Sequence, residues 1–343
     1  MKKIALILCA VMMLFLFSGC GDDGRTVLNV YNWGEFIDED VLELFEEKYP
    51  HIKINYETYA DNETMYTKVK NGGGKYDVLI PSDYMIARLI DEDMLSEIDF
   101  ANVPNFQYID EKYKGWSFDE ENKYSVPYMW GTVGILYDKT KVSEKEFTWD
   151  TLFDAKYKGQ VLVKNDMRDM LGIALKSLGY SMNSTNESEL RQAKDKLVSQ
   201  KENVVGRVGD EGMDKMIAGE AALAVMYAGD GAYCMSENEN LDFAIPSGGT
   251  NFFVDSMVIP KNAEHKAEAE LFINFMCETE IALMNAEEIG YSTPHTEAYK
   301  LLPDKHDFQY PGSDVLDIAE VYQYLGEYTE LYDKIWTEFI ASI

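Results

Sequence analysis

The chain is 343 residues long and carries a formal net charge of −30, with 46% hydrophobic and 13% aromatic side chains. So much apolar material sets it apart from acidic disordered chains and suffices for about two packed domains. An acidic field of this size repels nucleic acid and anionic lipid and draws cations in.

Met1-Lys2-Lys3 opens the chain, residues 4–17 form an apolar run, and Leu16-Phe17-Ser18-Gly19-Cys20 ends in small residues. That order of charge, apolar stretch and small-residue site predicts a secretory signal over residues 1–19. The run is shorter than the roughly 20 apolar residues a spanning helix needs, with an uncleaved anchor as the alternative. Cys20 after Ser-Gly resembles the acylated cysteine of bacterial lipoproteins, with Phe17 where those usually carry a smaller aliphatic residue. Two acyl chains on Cys20 would anchor the protein stably on a membrane, with residues 20–25 as a tether.

Residues 27–31 then predict a strand. Asp38 is placed to cap a helix that carries Val41, Leu42, Phe45 and Tyr49 on one face and stops at Pro50. A second strand over 52–56, a helix over 62–71, a loop at Gly72-Gly73-Gly74 and a strand over 76–80 ended by Pro81 follow. This βαβαβ rhythm implies an α/β lobe with a largely parallel sheet. A second series begins past Trp130-Gly131: a strand near 134–137, a short helix from Thr148, a strand over 160–164 and a helix over 169–178. Residues 183–189 read as a polar surface loop. Residues 221–227 and 252–259 read as buried strands, 263–277 and 278–288 as helices, and 315–343 as a helical, Tyr-rich tail.

Two α/β series predict two lobes facing a cleft. Residues 26–131 with 254–299 make lobe 1, and residues 132–253 with 300–343 make lobe 2. In open α/β sheets, ligands sit beyond the carboxyl ends of the strands, which directs attention to the loops there. Of the remaining cysteines, Cys9 lies in the signal, and Cys234 and Cys277 stay open as a pair. Cys277 follows Leu271, Phe272, Phe275 and Met276 on an apolar stripe and reads as a buried thiol. His51, His265, His295 and His306 are scattered without metal-ligand spacing, so neither metal nor cofactor is expected.

At the strand ends stand Trp33, then Ser82 and Tyr84, then Asp166 and Asp169. Each has a plain structural use: a core cap for Trp33, helix caps for Ser82 and the two aspartates. Arg168 is placed to neutralise one of those aspartates. Asp255 is harder to explain that way, because it interrupts Phe252-Phe253-Val254-Asp255-Ser256-Met257-Val258-Ile259 with no basic residue nearby in sequence. A buried carboxylate needs a cationic partner or dense hydrogen bonding. An ammonium ligand would serve, and Phe253, two residues away on the same strand face, offers such a cation a π surface.

Further segments resemble the spermidine/putrescine-binding proteins of bacterial ABC importers, within the two-lobed (type II) periplasmic-binding superfamily. They are Tyr31-Asn32-Trp33, Asn62-Glu63-Thr64-Met65-Tyr66, Tyr76-Asp77-Val78-Leu79-Ile80-Pro81-Ser82, Ser125-Val126-Pro127-Tyr128-Met129-Trp130-Gly131, Asp255-Ser256 and Ile289-Gly290-Tyr291-Ser292-Thr293-Pro294. The resemblance implies an aromatic box of Trp33, Phe36, Tyr84, Tyr227, Phe253 and Tyr291. It implies amine anchors at Asp166, Asp169 and Asp255, with Ser82 adding a hydrogen bond. Phe36 stands where that family has Tyr, Tyr227 and Phe253 where some members have Trp, and Asp169 where it has Glu. A Gln position falls on Tyr322 and a Ser position on Gly209. The implied protein is a monomeric, extracytoplasmic polyamine-binding component that serves membrane permease subunits and performs no catalysis.

The competing ligands are a basic amino acid, ferric ion or a sugar. Ferric-binding relatives carry adjacent tyrosines, and no Tyr-Tyr pair occurs here. A basic amino acid would need a cation for its carboxylate, for which Arg168 is the candidate. An extracellular hydrolase lacks a nucleophile elbow, a zinc motif or a phosphate loop. Asp166 and Asp169, three residues apart at a helix start, fit capping or binding better than a glycosidase pair.

Overall fold

The computed structural model describes residues 24–303 and 305–343. The predicted signal and Cys20, the predicted acylation site, lie outside the described residues. The first half runs β1 (Thr26–Trp33), α1 (Glu39–Lys48), β2 (Ile52–Tyr59), α2 (Asn62–Lys70), β3 (Val78–Leu79), α3 (Asp83–Asp91), β4 (Leu95–Ser96) and β5 (Ser125–Asp138). Next come β6 (Val161–Lys164), α4 (Met167–Ser177), α5 (Glu187–Ser199), β7 (Val204–Val208), α6 (Glu211–Ile217), β8 (Leu223–Tyr227), α7 (Ala228–Glu237) and β9 (Leu241–Ala244). The chain closes with β10 (Phe252–Pro260), α8 (Lys266–Met276), α9 (Thr279–Ile289), α10 (Thr296–Leu301), α11 (Ser313–Leu316) and α12 (Thr329–Ile340). No helix among the described residues is long and apolar enough to cross a membrane.

The strands join in the order β2-β1-β3-β10-β5-β8-β6-β7, with β4 on β10 and β9 on β5. Parallel pairs β1–β2, β1–β3, β6–β7 and β6–β8 flank an antiparallel centre, so the sheet is mixed rather than largely parallel. One strand belongs to both halves. Residues Ser125 to Thr132 of β5 pair with β10, and Val133 to Asp138 pair with β8 and β9.

Both faces of each half are covered, which is why the strands read as apolar runs. In the first half Leu28, Val30 and Ile80 pack with Phe45, Phe272 and Phe275, while Leu79 and Val258 turn to Met85 and Leu89 on the opposite face. In the second half, Ile135 packs with Leu171, Leu175, Leu190 and Ile335, and its neighbour Leu136 packs with Met226 and Phe243. The alternation of successive side chains along β5 divides Ile135 and Leu136 between the two layers. Each such buried side chain is worth about 1.5–3 kcal/mol.

Asp38 caps α1, accepting from the Asp40 N–H, as its position predicts. Three expectations change. Helix α4 starts at Met167 with Asp166 as its N-cap, so Asp169 lies inside the first turn. The tail is not one helix: between α11 and α12 the chain runs extended, with Glu320 bridged to Asn251 and Tyr322 buried. The polar stretch 183–189 is a loop only until α5 begins at Glu187. Cys234 and Cys277 are both buried and both free.

Candidate functional site

Trp33 ends β1, and the chain then turns through Glu35 in the left-handed region (φ 48°), which non-glycine residues seldom occupy. The turn is held because the Asn32 amide and the Tyr128 hydroxyl both donate to the Phe36 carbonyl at 3.0 Å. Phe36 is thereby fixed edge-on to Tyr291, ring centroids 4.8 Å apart. Trp33 is half-buried beside Tyr59 at 4.7 Å, and its indole N–H has no hydrogen-bond partner among the described residues.

Ser82 occupies the N-cap position of α3 but makes no side-chain cap bond. It forms a backbone bridge with Asp255 instead, which brings its side chain near enough to the Asp255 carboxyl to favour the ionised form. Oδ1 of Asp255 is buried without a partner among the described residues. Asp83 lies close by, fully buried, accepting from the Tyr84 N–H at 2.6 Å and the Val254 N–H at 3.2 Å. Burial pushes Asp255 up to about 7, against the nearby Ser82 side chain. Burial pushes Asp83 up to about 8, with the neighbouring Asp255 charge adding to it and backbone N–H bonds opposing.

Across the cleft, Asp166 caps α4 by accepting from the Asp169 N–H at 2.8 Å. Asp169 does no capping. It accepts from the Tyr227 hydroxyl at 2.9 Å and the Tyr322 hydroxyl at 3.3 Å, the latter shared with the Arg168 carbonyl at 3.0 Å. Burial and then the Asp166 charge raise Asp169 to about 7, while Lys164 opposes. Arg168 does not neutralise these acids as expected; its guanidinium donates to the Gln323 carbonyl at 3.1 Å and Asn183 Oδ1 at 3.0 Å. It lies against the Tyr322 and Tyr84 rings, at 4.6 and 5.1 Å.

The aromatic wall joins Tyr227 to Phe253 at 5.2 Å and Phe253 to Tyr291 at 6.2 Å. Gly131 sits opposite Phe253 in the β5–β10 pair, where a Cβ would lie 2.8 Å from the ring. Gly229 at the start of α7 likewise leaves room for Tyr291, whose hydroxyl donates to Asp230 at 2.8 Å.

Every residue predicted for the site lines one cavity: Trp33, Phe36, Ser82 and Tyr84 from one side, Asp166, Asp169, Tyr227 and Tyr322 from the other, with Phe253, Asp255 and Tyr291 between. Its volume, open mouth included, is about 740 Å³, within the range of small-molecule sites. Gly209 is not part of the lining. Sequence reasoning missed Asn62, Asp83, Asp210 and Asp230, which also line it, and Glu63, which accepts from the Tyr84 hydroxyl at 3.0 Å. Asp230 follows strand β8 as Asp166 follows β6, so the strand-end rule applied to residues 221–227 would have found it. Burial raises Asp230 to about 6, against Lys164, and raises Glu63 to about 7, with the Asp166 charge adding. Among the described residues, no group of three or more His, Cys, Asp or Glu is placed to hold a metal ion.

The sequence matches the profile of the bacterial extracellular solute-binding proteins over residues 40–309. The spermidine/putrescine-binding periplasmic protein of Escherichia coli (strain K12) is 33% identical, with 100% of each chain covered. Among solved structures, a Listeria monocytogenes protein assigned to spermidine/putrescine ABC transport superposes with a TM-score of 0.89 and 42% identity, over 92% of this chain and 99% of its own. The spermidine/putrescine ABC transporter substrate-binding protein of Streptococcus pneumoniae gives a TM-score of 0.79 and 38% identity, over 93% and 99%. The two-lobed α/β fold with its cleft is thus shared with binding proteins of transport systems rather than with enzymes. The chain belongs to the bacterial extracellular solute-binding protein family.

Proposed function

We propose that this protein captures a polyamine outside the cytoplasmic membrane and delivers it to the permease subunits of an ABC importer. The observation that carries the reading is Asp255: a buried carboxyl beside a second buried carboxyl, Asp83, with one oxygen unpartnered and aromatic rings on either side. Seven carboxyl groups line the cavity against one guanidinium, Arg168, which is already hydrogen-bonded. Such a lining favours a cation carrying several charges over an amino acid, whose carboxylate would meet a lining dominated by acids. The names of the E. coli and S. pneumoniae relatives point the same way.

In this reading Asp255, oriented by Ser82, holds one amine, and Asp166 and Asp169, with Tyr322, hold another. Trp33, Phe36, Tyr84, Tyr227, Phe253 and Tyr291 pack along the methylenes and face the ammonium groups, each ring contributing roughly 0.5–2 kcal/mol. The lobes are residues 26–131 with 254–299 and residues 132–253 with 300–343. They close about residues 131–132 and 250–253, a hinge motion common to binding proteins of this architecture. The protein acts as a monomer held at the membrane through lipid on Cys20.

Titration of the mature protein with putrescine, cadaverine, spermidine, spermine, arginine and ferric ion tests the reading. Saturable binding of at least one polyamine, with arginine and iron silent, is the expected result. Binding of arginine or iron without any polyamine response overturns it.

A further inference from the structure

Lys164 has no place in the site as built so far. It is the last residue of β6, between the ends of β8 and β7. It does not line the cavity, and its side-chain ammonium forms neither a hydrogen bond nor an ion pair with any described residue. Yet its ammonium lies 3.5 Å from the centroid of the Tyr227 ring, which does line the cavity. The strand register explains the neighbourhood. Lys164 pairs with Val208, two residues before Asp210, and β8 ends at Tyr227, three before Asp230. Its charge holds down the carboxyls of Asp169, Asp210 and Asp230, each of which burial pushes up. The chain therefore places an ammonium of its own on an aromatic face among three acids, which is the arrangement offered to the ligand's amines.

We propose that Lys164 is a specificity-determining residue: a built-in ammonium behind the Tyr227 wall that offsets Asp169, Asp210 and Asp230 and disfavours ligands in proportion to their charge, selecting diamines over triamines and tetraamines. The inference rests on the polyamine reading and deepens it. A cation behind a thin aromatic wall repels every ammonium in the cleft, and the repulsion sums over the ligand's charges. Simple packing of the lysine stem on Tyr227 would produce no such ordering.

The test measures dissociation constants of the wild type, K164R, K164Q and K164M for putrescine, spermidine and spermine at one ionic strength. K164M keeps an aliphatic stem against the ring and drops the charge. Both neutral variants are expected to bind more tightly by roughly twofold to threefold for each ligand charge. The gain is therefore smallest for putrescine and largest for spermine, while K164R stays within about twofold of wild type. Equal changes for all three amines, weaker binding, or failure of both neutral variants to fold overturns the role of Lys164. A wild type that binds none of the amines sinks the polyamine reading itself, which is a separate result.

Discussion

Asp255 concentrates the residue-scale argument. Its carboxyl is desolvated, lies near Asp83 and has one unpartnered oxygen, so in the ligand-free protein it is an electrostatic liability that the proposed ammonium ligand would relieve. Asp255→Asn should weaken polyamine binding more than tenfold, about 1.4 kcal/mol. It should also leave the ligand-free protein at least as heat-stable as before, because the amide removes a buried charge. Calorimetric titration and a thermal melt check both halves; unchanged affinity would remove Asp255 from the site. This residue was legible in the sequence because a carboxylate inside an apolar strand has no ordinary surface explanation. Asp83, Asp230 and Glu63 were not legible by that signal. Each sits in the first turn of a helix, where acids are favoured anyway by the helix dipole. Only the packing of α2, α3 and α7 around the cleft turns those common residues into unusual ones.

At the scale of elements, the first part of strand β5, before the strand predicted near residues 134–137, was the largest unread feature. Its sequence Ser125-Val126-Pro127-Tyr128-Met129-Trp130-Gly131-Thr132-Val133-Gly134 contains a proline and two glycines, which signal breaks. The structure absorbs each. The register slips between Asp255 and Ser256, opposite Pro127, so the ladder does without a proline N–H. Gly131 and Gly134 are flat because the Phe253 and Phe243 rings lie where their Cβ atoms would be. The α/β alternation elsewhere was legible from apolar periodicity, but β7, α6, α7 and β9 are short and their patterns weak, so residues 204–244 yielded a single strand. Helix α7 illustrates the functional stake. A Cβ on Gly229 would stand 2.0 Å from the Tyr291 ring, and Gly229→Ala must push the ring or the helix aside. Overpacking of this kind costs about 1–3 kcal/mol, and the displaced ring should also weaken polyamine binding severalfold. A thermal melt paired with a titration tests this; a variant that loses neither stability nor affinity would show that Tyr291 does not wall the site.

At the scale of the whole molecule, the cleft gathers carboxyls that the fold holds in unfavourable surroundings. Asp255, Asp169 and Glu63 are raised to about 7 and Asp83 to about 8, in each case chiefly by burial. A carboxyl whose folded pKa lies above its unfolded one stabilises the fold fully below the unfolded value, here 3.8 for Asp and 4.5 for Glu. That contribution is lost as pH rises through the folded values, so the ligand-free protein should become less heat-stable between about pH 5 and pH 8. Polyamine ammonium groups prefer the ionised carboxyls, so affinity should move the opposite way over the same window. The melting-temperature increase caused by a fixed, saturating excess of putrescine should therefore be larger at pH 8 than at pH 5.5. Titration calorimetry at pH 7 in two buffers of different ionisation enthalpy should also detect protons released on binding, because the ligand drives these carboxyls to ionise. Equal thermal shifts at the two pH values, together with no net proton release, would mean that the cleft acids are already ionised without ligand. The electrostatic account of this site would then be wrong, even if the polyamine still bound.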